Sequence, residues 1–212
     1  STLPASTQAM TIMRVCLAAT YLLSSAHAFK FMADWKIPTL ESLGQQLTAS
    51  QKFGDKKLVV VTGTSSGLGR STARALLRTG EYHVVGAVRD LDKMEAVADL
   101  EEFDSNDFTA LNCDLASFSS VRKFCEELNA FRSGKSVDRI VCNAAVYQPS
   151  LDYAKWTVDG HEQQMQINFL SHFLMISLLM PSMQGSSDPR IITVGSVTGN
   201  DNTVGGGGVY PV

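Results

Sequence analysis

From residue 57 onward, short apolar runs alternate with longer stretches of mixed character. Leu58, Val59, Val60 and Val61 are continuous apolar positions. That is the pattern of a strand covered on both faces, since a half-buried strand would alternate apolar with polar. Comparable runs at 83–88, 108–113, 139–142 and 190–194 bring the number of predicted strands to five, the first being 58–62. Between them the spacing predicts helices over 68–79, 91–102, 117–132 and 159–183, the last closed by Pro181 and Gly185. Strands interleaved with helices imply an α/β fold, a Rossmann-like doubly wound parallel sheet with helices on both faces. Right-handed crossovers place the strands in the order 3-2-1-4-5. There is no internal repeat, and the run Gly205 to Gly208 is the only low-complexity piece.

The first strand runs directly into Thr62-Gly63-Thr64-Ser65-Ser66-Gly67-Leu68-Gly69. Glycines at 63, 67 and 69 let the backbone turn tightly and approach a pyrophosphate, which then meets the free amides at the start of a helix. Gly63, Ser65, Ser66, Gly67, Leu68 and Gly69 are therefore candidate cofactor-binding residues, although a plain strand-to-helix turn fits the motif taken alone. Arg89 follows the second strand, twenty residues after Gly69, where an NAD-preferring enzyme offers a carboxylate to the ribose. A guanidinium there favours a 2′-phosphate, with Lys93 as a second charge, and points to NADPH. Solvated surface residues are the competing reading, and Asp90 keeps NAD open. Asp114 and Leu115 follow the third strand, and Asn143, Ala144 and Ala145 the fourth, so both groups stand beside the crevice at the carboxyl ends of the strands. Asn168 is polar among apolar neighbours and needs a partner if buried. His172, four residues on, reads as packing or surface. Ser196 lies just past the fifth strand.

Composition narrows the function classes. With 212 residues, 44% hydrophobic, the chain suffices for one domain plus appendages. A net charge of -3 and scattered basic residues give no reason to expect a nucleic-acid partner. Cys16, Cys113, Cys125 and Cys142 lack Cys-x-x-Cys spacing and read as reduced core thiols, not as a metal site. Arg14 precedes an apolar run from Val15 to Leu23, and Ala26-His27-Ala28 then fits a signal-peptidase site before Phe29. A mature amphipathic helix is the alternative. The expected organisation is upstream residues and signal peptide over 1–28, a transit or linker segment over 29–55, and an NADP-binding domain over 56–212.

The Thr-Gly-x-x-x-Gly-x-Gly spacing resembles that of the short-chain dehydrogenase/reductase superfamily. Within it, Cys142-Asn143-Ala144-Ala145-Val146-Tyr147-Gln148-Pro149, Thr157 to Glu162, Asn168 to Leu174 and Val194 to Asn200 resemble the light-dependent protochlorophyllide oxidoreductases. The resemblance implies an NADPH-dependent, light-driven reduction of protochlorophyllide to chlorophyllide. It also implies that Asp114 holds the adenine amino group, that Asn143 to Ala145 line the cofactor, that Asn168 holds a water of a proton relay, and that Ser196 orients the substrate and a tyrosine. The Ala-x-Ala-Phe junction resembles the bipartite presequences of algae with secondary plastids and implies a plastid location. Peripheral association with thylakoid membranes and a homo-oligomeric state stay open. In that family a helix carrying Tyr-x-x-x-Lys follows. Tyr210 is rejected for this role, because Pro211 and Val212 follow it without a lysine. The expectation is thus a domain whose carboxyl-terminal part is missing and which is inactive alone. A non-catalytic dinucleotide-binding module and a retinol-dehydrogenase-like reductase are the alternatives.

Overall fold

A computed structural model describes residues 40–148 and 153–196. Residues 1–28 with Cys16, residues 29–39, Pro149, residues 197–208 and Tyr210 lie outside the described residues. Contacts divide the chain into two compact units, Ser1–Leu43 and Gly44–Val212. Of the first, only the opening turn of one helix is described; the second carries the sheet.

In chain order the elements are α1 (Leu40–Phe53), β1 (Lys57–Thr62), α2 (Gly67–Arg78), β2 (Tyr82–Val88), α3 (Leu91–Leu100), β3 (Phe108–Asn112), α4 (Phe118–Phe131), β4 (Val137–Cys142), a long helix α5, and β5 (Arg190–Thr193). Helix α5 comprises Gln163–Met165, a π-helical turn Gln166–Leu170, and Ser171–Met183. All five strands are parallel, in the order β3-β2-β1-β4-β5. This is the doubly wound sheet expected from the sequence. Most boundaries differ from the pattern-based ones by one to three residues, the usual uncertainty at fraying ends.

The apolar run of β1 is continuous because the strand is central and roofed twice. Leu58 and Val60 face α4 and α5, and Val59 and Val61 face α2 and α3; all four are fully buried. Each such side chain contributes about 1.5–3 kcal/mol by leaving water. At the amino end of β1 the register with β4 shifts between Leu58 and Val59. The extra residue is Asp138, whose carboxylate accepts the Leu58 amide at 2.8 Å and the Ser186 hydroxyl at 2.6 Å. A side chain thereby replaces the ladder bond that the bulge removes.

One helix has no counterpart in the predicted elements, and another starts later than predicted. Helix α1 places Ala49 and Phe53 in the core, and the Phe53 ring meets His83 and Phe131 at centroid distances of 5.0 and 5.6 Å. Lys52 lies 3.3 Å above the Phe131 ring centroid and donates to the Phe131 carbonyl at 3.0 Å. Helix α5 starts at Gln163 rather than 159. Gly160 has φ +78, and the Glu162 carboxylate caps the Gln164 and Met165 amides, so the preceding residues form a turn.

Candidate functional site

The loops that follow the strands meet at the carboxyl end of the sheet, where every sequence-predicted site residue stands. Gly63 and Gly67 adopt left-handed backbone angles, with φ +75 and +53, which side-chain-bearing residues avoid. Close approach adds a second reason at two positions. A Cβ on Gly63 would lie 3.0 Å from the Ala144 Cβ, and one on Gly69 would lie 2.2 Å from the Gly63 carbonyl oxygen and 2.6 Å from the Asn143 amide nitrogen. Nothing lies within 4 Å of a Cβ on Gly67. The turn is thus packed from inside and open outside.

The open side is the start of α2. Ser66 occupies the cap position without a side-chain hydrogen bond, and the first turn holds no acidic residue. Asp90, Ser117 and Glu162 cap α3, α4 and α5 with their side chains. Ser66, Gly67 and Leu68 are exposed, and Ser65 is half-buried. Free amides and the positive end of the helix dipole therefore face outward, which suits an anion.

Behind the turn, Thr62 ties β1 to the loop after β4. Its fully buried hydroxyl oxygen accepts the Asn143 and Ala144 amides, each at 2.9 Å, and its carbonyl accepts the Asn143 side-chain amide at 2.9 Å. Ala145 is exposed beyond them. Sequence reasoning read Thr62 as the opening of the glycine motif without giving it a role, and it passed over Gly86. A Cβ on Gly86 would lie 2.4 Å from the Thr64 hydroxyl, so this glycine lets the turn seat against β2.

Around the rim, Arg89 and Lys93 are exposed. The Arg89 side chain has no hydrogen bond or ion pair among the described residues, whereas the Asp90 carboxylate is engaged by the Lys93 amide at 2.9 Å. The Asp114 carboxylate accepts the Ala116 amide at 2.9 Å, and the Leu115 carbonyl accepts the buried Ser171 hydroxyl at 2.6 Å. Asn168, on the π-helical turn, uses both ends of its side-chain amide on Val146, accepting from the nitrogen at 2.8 Å and donating to the oxygen at 2.9 Å. Ser196 is exposed two residues past Val194, whose amide bonds the Cys142 carbonyl at 3.0 Å. His172 is buried, with Nε2 at 2.9 Å from the Thr62 hydroxyl oxygen, and burial lowers its pKa below the ordinary imidazole value. Cys113, Cys125 and Cys142 are free and buried; burial pushes the first two up to about 12 and the third to about 11, so all three stay thiols.

The family model for short chain dehydrogenase matches residues 57–211. A protochlorophyllide reductase, chloroplastic, of Marchantia paleacea is 44% identical over 160 residues, covering 74% of this chain and 34% of its own. Protochlorophyllide reductase A, chloroplastic, of Hordeum vulgare is 45% identical over 166 residues, covering 75% and 42%. Among solved structures, the Pseudomonas aeruginosa RhlG/NADP active-site complex superposes with a TM-score of 0.59 at 28% identity, covering 72% of this chain and 60% of that one. The chain thus spans about a third to two fifths of the length of these curated relatives.

Proposed function

This chain belongs to the short-chain dehydrogenase family, and we propose that it forms the NADPH-binding part of an enzyme that reduces protochlorophyllide to chlorophyllide when illuminated, in a plastid. The observation that carries the cofactor half is the uncapped α2 start, open on its outer side, in a turn whose Gly63 and Gly69 pack so closely on its inner side that no Cβ fits there. The names of the curated relatives, at 44% and 45% identity, carry the substrate half and the plastid location. A solved relative in complex with NADP supports the choice of nucleotide.

In this reading the amides of Ser65, Ser66, Gly67, Leu68 and Gly69 receive the pyrophosphate. Arg89, which lacks a partner among the described residues, meets the 2′-phosphate together with Lys93. Asp114 and Leu115 border the adenine, and Asn143, Ala144 and Ala145 line the cofactor wall. NADPH, when bound, supplies a hydride. Asn168 has committed its side-chain amide to Val146, so holding a relay water falls to its main-chain carbonyl. Ser196 orients the reacting pigment.

Two measurements test this. Titrating the chain with NADPH and NADH by nicotinamide fluorescence is expected to show a preference for NADPH that Arg89→Ala abolishes, by about tenfold or more for a lost charge-assisted phosphate contact. An unchanged preference refutes the Arg89 assignment, and no binding refutes the cofactor reading. In the protein at the full length of its relatives, protochlorophyllide absorbance is expected to convert to that of chlorophyllide only after a light flash with NADPH present. Conversion in darkness at the same rate points instead to a retinoid-type reductase.

A further inference from the structure

Helix α5 reaches the carboxyl end of the sheet with three polar side chains, two engaged with loops and one with the end of β1. Asn168 holds Val146 after β4, Ser171 holds the Leu115 carbonyl after β3, and His172 meets Thr62, the last residue of β1. Of the three partner groups, the Thr62 hydroxyl has the most neighbours. Its oxygen accepts two amides, from Asn143 and Ala144, at 2.9 Å each. A hydroxyl has two lone pairs and one proton. Both lone pairs are occupied, so only the proton remains to be placed. The Val141 carbonyl lies 3.4 Å away and His172 Nε2 2.9 Å away.

The other imidazole nitrogen decides the matter. Nδ1 of His172 lies 3.4 Å from the main-chain oxygen of Asn168. One arrangement satisfies every atom: Nδ1 carries the ring proton and faces that oxygen, while a bare Nε2 accepts the Thr62 proton. The opposite tautomer brings a third donor to an oxygen without a free lone pair and aims the Nδ1 lone pair at a carbonyl. A doubly protonated ring has the first fault too, and burial opposes its charge.

We propose that His172 is a positioning residue for the cofactor site, its bare Nε2 drawing the Thr62 hydroxyl proton so that both lone pairs of that oxygen hold the Asn143 and Ala144 amides. This rests on the reading that the crevice holds NADPH. His172 acts through Thr62 and not on the cofactor itself. The segment it fixes is the one against which the glycine turn packs, since a Cβ on Gly63 or Gly69 would meet Ala144 or Asn143. If that segment drifts, the turn loses its inner wall.

The full chain labelled with nitrogen-15 histidine, assigned by comparison with His172→Gln, reports the tautomer directly. The expected signal for His172 is a protonated Nδ1 and an unprotonated Nε2; a protonated Nε2 overturns the proposal. NADPH titration of variants supplies the functional readout. His172→Phe removes the acceptor and is expected to weaken binding about tenfold, within the range for a buried polar group left unpaired. His172→Gln offers an amide oxygen near the Nε2 position and is expected to restore affinity to within about threefold of the unaltered chain. In a Thr62→Val background, His172→Phe is expected to add little, because the two act as one unit. An undiminished loss in that background, or unchanged affinity in His172→Phe alone, overturns the proposal while leaving the cofactor reading intact. Absence of NADPH binding by the unaltered chain overturns both. Should His172→Phe fail to fold, the tautomer and the glutamine variant still decide, the latter refuting the proposal if it is folded but loses binding.

Discussion

Replacing Gly69 with alanine isolates the fit between the glycine turn and its inner wall. The new methyl group would sit 2.2 Å from the Gly63 carbonyl oxygen and 2.6 Å from the Asn143 amide nitrogen. Relieving the first contact to an ordinary 3.4 Å moves the α2 start away from the turn by about 1.2 Å, and overpacking of this kind costs about 1–3 kcal/mol. The second contact also disturbs the Asn143 bond to the Thr62 carbonyl at 2.9 Å, worth about 1 kcal/mol. Better helix propensity returns somewhat less than about 1 kcal/mol. The net loss is about 1–3 kcal/mol. Gly67→Ala is the control: its Cβ enters open space but keeps φ at +53, which costs about 1–2 kcal/mol and displaces nothing. Urea unfolding followed by far-ultraviolet circular dichroism measures both. A loss of 2 kcal/mol lowers the midpoint by about 1 M for a small domain. Adding Asn143→Ala should recover little of the Gly69→Ala loss, because the carbonyl contact persists. Gly69→Ala as stable as the unaltered chain, with NADPH affinity intact, refutes the reasoning.

Asp138→Ala leaves the buried Leu58 amide without its acceptor and should lower stability by about 1–3 kcal/mol in the same urea assay, with Asp138→Asn losing less. His83, buried between Asn106 and Thr109, has its pKa lowered chiefly by burial. The unfolded chain therefore binds the extra proton more readily, so the contribution is present above the ordinary imidazole value and is lost progressively as pH falls from that value towards the lowered folded one. The urea midpoint should drop as pH is lowered from 7.5 towards 5.5, less steeply in His83→Gln; equal slopes would contradict this. In a Cys16→Ser background, Cys113, Cys125 and Cys142, with pKa values of about 12, 12 and 11, should resist a thiol-disulfide reagent at mildly alkaline pH and react fully in denaturant. Rapid native labelling would refute their burial as thiols.

Much of the architecture was legible because it is written in local patterns. The run Leu58 to Val61 announces a doubly covered strand, and Gly63, Gly67 and Gly69 mark backbone positions that side chains would obstruct. Residues that act through distant partners left no such trace. His172 is a lone histidine on an apolar helix, and its partner Thr62 lies 110 residues away in sequence. The π-helical turn carrying Asn168 has no periodicity of its own within a helical pattern, so the long helix reads as regular. Gly86 sits in a run that any strand could show, and its reason, the Thr64 hydroxyl, appears only in three dimensions. Helix α1 was passed over because it follows a stretch that reads as a leader, although Phe53 belongs to the core.

The knot of bonds around the Thr62 hydroxyl also sets a timetable for the nascent chain. Its amide donors arrive 81 and 82 residues later and its imidazole partner 110 residues later. At a ribosomal pace of about 5–20 residues per second, the phosphate-facing turn waits roughly 5–20 s after its own synthesis for this knot to close, held until then by the Gly63 amide on the Ala87 carbonyl. During that interval the apolar run of β1 can pair with β2 on one edge, while its other edge stays open until β4 has been made, which leaves that edge of the newborn polypeptide exposed to wrong pairing.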